Sequence, residues 1–187
     1  IVAMDLTTAE VYVAAVLADD QALMDVFRSG GNFHSNIAHR VFRLACEPEE
    51  VAELYPMQRQ AAKAVTFGIM YGAGANKISQ QVTTDSGKHF SRSEAQEVID
   101  DYFRSFHKLK SWLEKNQKSI EVNGFIYSYF GRKRRLPNVA SEDKGIKSHS
   151  IRSGLNFLVQ SPASDINLLG GIDMSEYIRV NKMGARI

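Results

Sequence analysis

One cysteine, Cys46, stands in a chain of 187 residues. A lone thiol excludes an internal disulfide framework and suits a reducing compartment. No apolar run approaches the ~20 residues that a membrane span needs, and no charged leader with an apolar segment and small-residue cleavage site opens the chain. The expectation is a cytoplasmic protein with no membrane partner. Net charge is also scarce, at +2, too little to announce a nucleic-acid partner unless the basic residues are placed together. There is no internal repeat, low-complexity tract or linker. With 44% hydrophobic and 24% charged residues, the composition is that of a folded globular chain large enough for one substantial domain or two small ones that share a core. The chain starts at Ile1-Val-Ala-Met without an initiator Met and stops at Met183-Gly-Ala-Arg-Ile187. Both ends read as cut, and the expectation is an internal piece of a longer protein.

Helical periodicity dominates what is present. Ile1 to Met4 suggests a short strand ended by Asp5, followed by a helical stripe at Ala9, Val13, Ala14, Val16 and Leu17. Asp19 or Asp20 is placed to cap a helix reaching about Phe27, with Gly30-Gly31 behind it. A helix is expected from about His34 to Leu44, a short acidic one after Pro48, and an unbroken one from Met57 to Tyr71, with Pro56 in its first turn and Gly72 past its end. A looser stretch follows through Gly87. Ser91 then caps a long amphipathic helix to Phe106, and another follows His107. Gly124 to Tyr129 alternates like a hairpin strand and runs into the basic cluster 131–135. From Ile146 onward the pattern is helical, with Pro162 as an expected break, and the last residues look like the beginning of another strand.

Chemistry concentrates in the helix after Pro56. Arg59, Lys63, Phe67 and Tyr71 recur every four residues and share one slowly drifting face. Two cations and two rings on one face suit a nucleoside triphosphate, with the cations on phosphate oxygens and the rings against sugar and base. Gly68 leaves room for close approach of a base pair. The same spacing also fits a packed aromatic stripe with a solvated basic edge. Asp5, a carboxylate at a strand end, is either a Mg2+ ligand or a helix cap. Arg152, Asn156 and Gln160 again recur every four residues, suiting sequence-independent contacts with minor-groove acceptors and phosphates, or a hydrated helix surface. The basic run Arg132-Lys-Arg-Arg135 is a phosphate-binding patch or a solvated turn.

The string Arg59-Gln-Ala-Ala-Lys63-Ala-Val-Thr-Phe67-Gly68-Ile-Met-Tyr71-Gly72 resembles the R-x-x-x-K-x-x-x-F-G-x-x-Y-G motif of family A (DNA polymerase I-like) DNA polymerases. Asp5-Leu-Thr-Thr-Ala-Glu10 is similar to that family's first palm motif, D-x-S-x-x-E-L-R, with Ala9 and Tyr12 departing from it. Asn32-Phe-His34, Phe130-Gly-Arg132-Lys-Arg134 and Arg152-x-x-x-Asn156-x-x-x-Gln160 resemble further family elements in the same order. The resemblance runs from Asp5 to Ile187. It implies an α+β fold, with helical fingers at about 30–106 inserted into an incomplete palm (about 1–29 and 107–187) that carries a small antiparallel sheet. It further implies transfer of nucleotides from deoxynucleoside triphosphates to a primer 3′-end on template DNA, with two Mg2+ ions. In that reading Asp5 and the Leu6 carbonyl bind metal, and Asp5 and Lys63 are catalytic. Glu10, His34, Arg59, Lys63, Phe67 and Tyr71 hold the nucleotide, Glu10 with Tyr71 excluding a ribose 2′-hydroxyl. Arg132, Arg134, Arg152, Asn156 and Gln160 contact DNA. The second palm carboxylate and the thumb are not in these residues, so the isolated chain is expected to lack primer extension. Alternatives are a single-subunit RNA polymerase, which should lack Glu10, and a non-catalytic DNA- or nucleotide-binding remnant.

Overall fold

A computed structural model describes residues 8–186; the expected strand at 1–4, together with Asp5 and Leu6, lies outside the described residues. Nine α-helices and one two-stranded sheet follow one another among the described residues. The helices are α1 (Ala9–Leu17), α2 (Gln21–Arg28), α3 (Phe33–Phe42), α4 (Val51–Leu54), α5 (Pro56–Met70), α6 (Ala75–Ser86), α7 (Arg92–Ser105), α8 (His107–Asn123) and α9 (Lys144–Val180). Strands β1 (Phe125–Tyr127) and β2 (Lys133–Arg135) lie between α8 and α9, followed by a 3-10 turn, Pro137–Ala140. This is the α+β arrangement, mostly helical, that the sequence led one to expect.

Local chemistry sets the boundaries. Asn32 caps α3 by accepting from the Ser35 amide. Ser91 and Glu94 form a reciprocal capping box at the start of α7. Pro56 occupies the first turn of α5, where its missing N–H has no helical partner to lose. Two caps share one group. The Asp20 carboxylate, 1% exposed, accepts from the Leu23 amide at the start of α2 and from the Leu109 amide at the start of α8. The two helix beginnings, 89 residues apart in sequence for the second contact, are thereby held at one point.

A large core gathers one face of each of α1 to α3 and α5 to α7, closed by Phe106 and Leu109 from the beginning of α8. A second, smaller core joins Ile120, Ile126, Leu136, Val139, Ile151 and Leu158, and Trp112 packs against both. Two glycines permit close approach where α9 meets its neighbours. A Cβ on Gly154 would lie 2.6 Å from Leu136 Cδ1 and 2.7 Å from Ile120 Cδ1, while one on Gly72, at φ +66°, would overlap the Arg152 stem.

Four expectations change. The stretch after Gly74 is not loose: it forms α6, because Ala75, Ile78 and Val82 recur at helical spacing and are all buried. Pro162 does not break α9, which runs for 37 residues. The lost backbone bond is offset because Pro162 is itself buried, beside Val159 and Ala163 of the main core. Residues 183–186 form no strand. The basic cluster, rather than following the hairpin, supplies its second strand, with Phe125 opposite Arg135 and Tyr127 opposite Lys133; Lys133 Nζ sits 3.8 Å from the Phe125 ring centre.

Because Asp20 caps two helices from a buried position, Asp20→Ala is expected to destabilise the fold by about 2–4 kcal/mol, two caps plus the two amides left unpaired. Urea unfolding measures it; a loss no larger than that of an exposed Asp85→Ala control would mean that the shared cap contributes little.

Candidate nucleotide and nucleic-acid site

Arg59, Lys63 and Phe67 lie one turn apart along α5, and Tyr71 is its C-terminal cap residue. Ala61, Ala62, Ala64, Val65, Thr66, Ile69 and Met70 of the helix are buried, while Lys63 and Tyr71 are exposed. The face that carries cations and rings is therefore the one left open, not the one packed into the core.

Partners from three other elements come to this face. From α1, Glu10 Oε1 accepts a hydrogen bond from the Tyr71 hydroxyl at 3.4 Å. Burial first, then the Glu10 charge, push the Tyr71 phenol pKa up. From α3, the His34 ring stands 5.4 Å from the Phe67 ring, and its Nδ1 is buried with no hydrogen-bond partner among the described residues. Burial, followed by the nearby positive charges of Lys63 and Arg59, lowers the His34 pKa to about 4, so the imidazole is neutral at neutral pH. The Arg59 guanidinium donates to Ser35 Oγ and Asn32 Oδ1, both at 3.3 Å, which anchors it to the beginning of α3. From α9, Gln160 lies close enough to the Tyr71 hydroxyl to affect its titration.

A cleft of about 330 Å³ opens beside the same face, between α5 and α6, lined by Lys63, Phe67, Tyr71, Lys77, Gln81 and Asp85 among others. The sequence did not single out the last three, because α6 itself was not recognised. Gly68 faces α6: a Cβ there would meet Ile78 Cγ1 at 3.1 Å and Ala73 Cβ at 3.3 Å. The room expected there for a base pair is filled by helix packing instead.

The expected nucleic-acid residues lie along α9 and on the hairpin that leans on it. Arg152 is half-buried, its stem under Gly72 and its guanidinium donating to Ser148. Asn156 Oδ1 is buried with no partner among the described residues, and Gln160 is exposed. Arg134 donates to Ser153 Oγ at 2.6 Å and lies over the Phe157 ring. Arg132 makes a two-pronged ion pair with Asp165, with Nε to Oδ2 at 3.1 Å. Two arginines read as a phosphate patch thus also strap the hairpin to α9. No group of three or more His, Cys, Asp or Glu side chains able to hold a metal occurs among the described residues. The expected metal ligands, Asp5 and the Leu6 carbonyl, lie outside them.

Comparison with known proteins decides the family. The family model described as DNA polymerase family A matches residues 1–187. The chain belongs to DNA polymerase family A. Within the family it is 47% identical to the DNA polymerase of Escherichia phage T5, over 95% of this chain and 23% of that protein. It is 32% identical to the thermostable DNA polymerase I of Thermus aquaticus, over 100% of this chain and 21% of that protein. The chain thus spans about a fifth of the length of these relatives. The POL domain of Pol1 from M. smegmatis, solved in complex with DNA primer-template and dNTP, superposes with a TM-score of 0.82 at 27% identity, covering 98% of this chain and 30% of that one.

The titration of His34 makes a prediction with a definite sign. Its folded-state pKa, about 4, lies below the ordinary 6.5, so between these values the unfolded chain binds the proton and the folded chain does not. Stability is therefore lost as pH falls from about 6.5 toward about 4 and is level above that window. His34→Gln removes this contribution: the native chain should lose more urea stability than the variant between pH 7 and about 4.5. Parallel losses would place the imidazole in water.

Proposed function

We propose that the protein acts in template-directed DNA synthesis, transferring nucleotides from deoxynucleoside triphosphates to a primer 3′-end. The observation that carries this reading is the convergence, on the open face of α5, of Arg59, Lys63, Phe67 and Tyr71 with His34 from α3 and Glu10 from α1. A cluster of two cations and a neutral imidazole suits a triphosphate, and the rings beside it suit a sugar and base. Family membership and the relatives named as DNA polymerases support the same reading.

In this reading, α3 to α7 form the fingers, within 30–106, and α1, α2 and the elements from 107 onward belong to the palm. Arg59, held by Asn32 and Ser35, and Lys63 take the phosphates. Lys63 also stabilises charge, or donates a proton, as pyrophosphate leaves. Glu10, hydrogen-bonded to Tyr71, fills the volume that a ribose 2′-hydroxyl would need, which favours deoxynucleotides over the ribonucleotides of an RNA polymerase. Arg152, Asn156 and Gln160 present the polar row for primer-template DNA, with Arg134 beside them and Arg132 chiefly anchoring the hairpin. Mg2+ is the metal proposed for Asp5 and the Leu6 carbonyl, where it would supply positive charge to offset that of the substrate phosphates. The cytoplasm of a bacterium or of a virus-infected host is the proposed place of action.

Two substitutions, made in the protein expressed from the complete reading frame that encodes these residues, test the assignment. Lys63→Ala should lower kcat/KM for single-nucleotide incorporation at least about a hundredfold, a loss of roughly 2.7 kcal/mol. Lys118→Ala, on the exposed side of α8, should change it little; Lys77 is unsuitable as a control because it lines the same cleft. Similar small effects at 63 and 118 would reduce α5 to a packed helix with a wet edge. Glu10→Ala should lower the ratio of kcat/KM for deoxy- over ribonucleotides, and an unchanged ratio would remove Glu10 from sugar selection.

A further inference from the structure

Five rings from four helices form a continuous run toward the nucleotide face. Tyr12 of α1 meets Phe27 of α2 edge-on, at 5.1 Å and 88°. Phe27 lies on Phe33, at 4.5 Å and 30°. Phe33 meets His34 edge-on, at 5.3 Å and 75°, and His34 reaches Phe67 at 5.4 Å. Ordinarily a functional imidazole is oriented by a hydrogen bond at its second nitrogen. His34 Nδ1 has none among the described residues, where ring contacts on two sides, Phe33 and Phe67, hold it. Phe33 in turn has its own ring held from beneath by Phe27, and Phe27 by the edge of Tyr12.

We infer that Phe27 and Tyr12, which lie away from the α5 face, are positioning residues that orient His34 toward a bound triphosphate through the ring stack. Tyr12 occupies one of the positions at which the sequence departs from the family's D-x-S-x-x-E-L-R pattern, and the stack gives that departure a physical role: an edge for Phe27 where the pattern has an arginine. Each edge or offset ring contact is worth a modest amount beyond burial, so the expected effect is a several-fold loss of nucleotide affinity rather than abolition.

The inference rests on the nucleotide-binding reading above, so its test reads binding separately from turnover. A fluorescent deoxynucleoside triphosphate is titrated against the protein from the complete reading frame, with primed template present and at one salt concentration. Phe27→Leu, which keeps an apolar side chain but removes the ring, should raise the nucleotide Kd about three- to tenfold. The Kd for the primed template should stay within about twofold. Phe27→Tyr, which keeps the ring, should restore the native value. In a His34→Ala background, Phe27→Leu should add nothing, because a residue acting through His34 has no effect once the imidazole is gone.

An unchanged Kd, an equal loss in the His34→Ala background, or no restoration by Phe27→Tyr would each overturn the positioning role. If Phe27→Leu fails to fold, Tyr12→Leu at the exposed end of the stack carries the same comparison, with Tyr12→Phe as the restoring variant. Nucleotide binding without primer extension by the unaltered protein would overturn the catalytic reading and leave the stack to be judged by these affinities. No nucleotide binding by the unaltered protein would overturn both.

Discussion

A buried carboxylate at the beginnings of two helices determines how the rest of the chain is laid out. Asp20 ends the α1–α2 turn and also receives the Leu109 amide of α8, so the chain leaves one point at α2 and returns to it at α8. Everything between, α2 through α7, is tied at both ends to the same spot. An insertion closed in this way can pack its own core and still keep a fixed relation to α1, because the closure lies next to α1 rather than at the end of a flexible linker. Hydrogen bonds from amides at helix N-termini to an ionised carboxylate are strengthened by the aligned peptide dipoles, which suits them to this closing role.

That closure is what allows Glu10 and Tyr71 to meet. They are 61 residues apart, and no local periodicity relates them. Tyr71 reaches Glu10 because α5 packs against α1 as well as against α3, α6 and α7. The open face of α5 is the remainder of this packing: its small and branched residues (Ala61, Ala62, Val65, Ile69) are taken up by neighbours, leaving the long cations and the flat rings with no partner inside the core.

The legible part of the sequence follows the same division. Caps and breakers were readable, since Asp20, Ser91 and Pro56 act over three or four residues and carry their own chemistry. The fourfold row on α5 was readable as a stripe, although only packing tells whether such a stripe faces in or out. What stayed hidden depends on distant partners. Helix α6 is built from Ser, Gln and Thr around three apolar positions and has no side-chain cap, so its burial against α5 and α7 was not visible locally. Pro162 looked like a stop because the lost hydrogen bond is local, whereas the burial that offsets it comes from other elements. Gly68 looked like space for a ligand, and Ile78, ten residues on, takes that space. Arg132 looked free for phosphate until Asp165, 33 residues away, claimed it.

Glycine at 72 and at 154 places α9 against both neighbours at the shortest distance a backbone allows: the Arg152 stem beneath the end of α5, and the bare α-carbon of Gly154 against Leu136 and Ile120. The helix is thus clamped on two sides within three residues, and the polar row that starts at Arg152 begins at a fixed offset from Tyr71. From Arg152 to Gln160 the row rises about 12 Å at 1.5 Å per residue. A duplex laid along it, rising about 3.4 Å per base pair, would have between three and four base pairs opposite that row. In the proposed reading, the clamp would make a stretch of α9 a measure of length, with its zero mark set by two missing side chains.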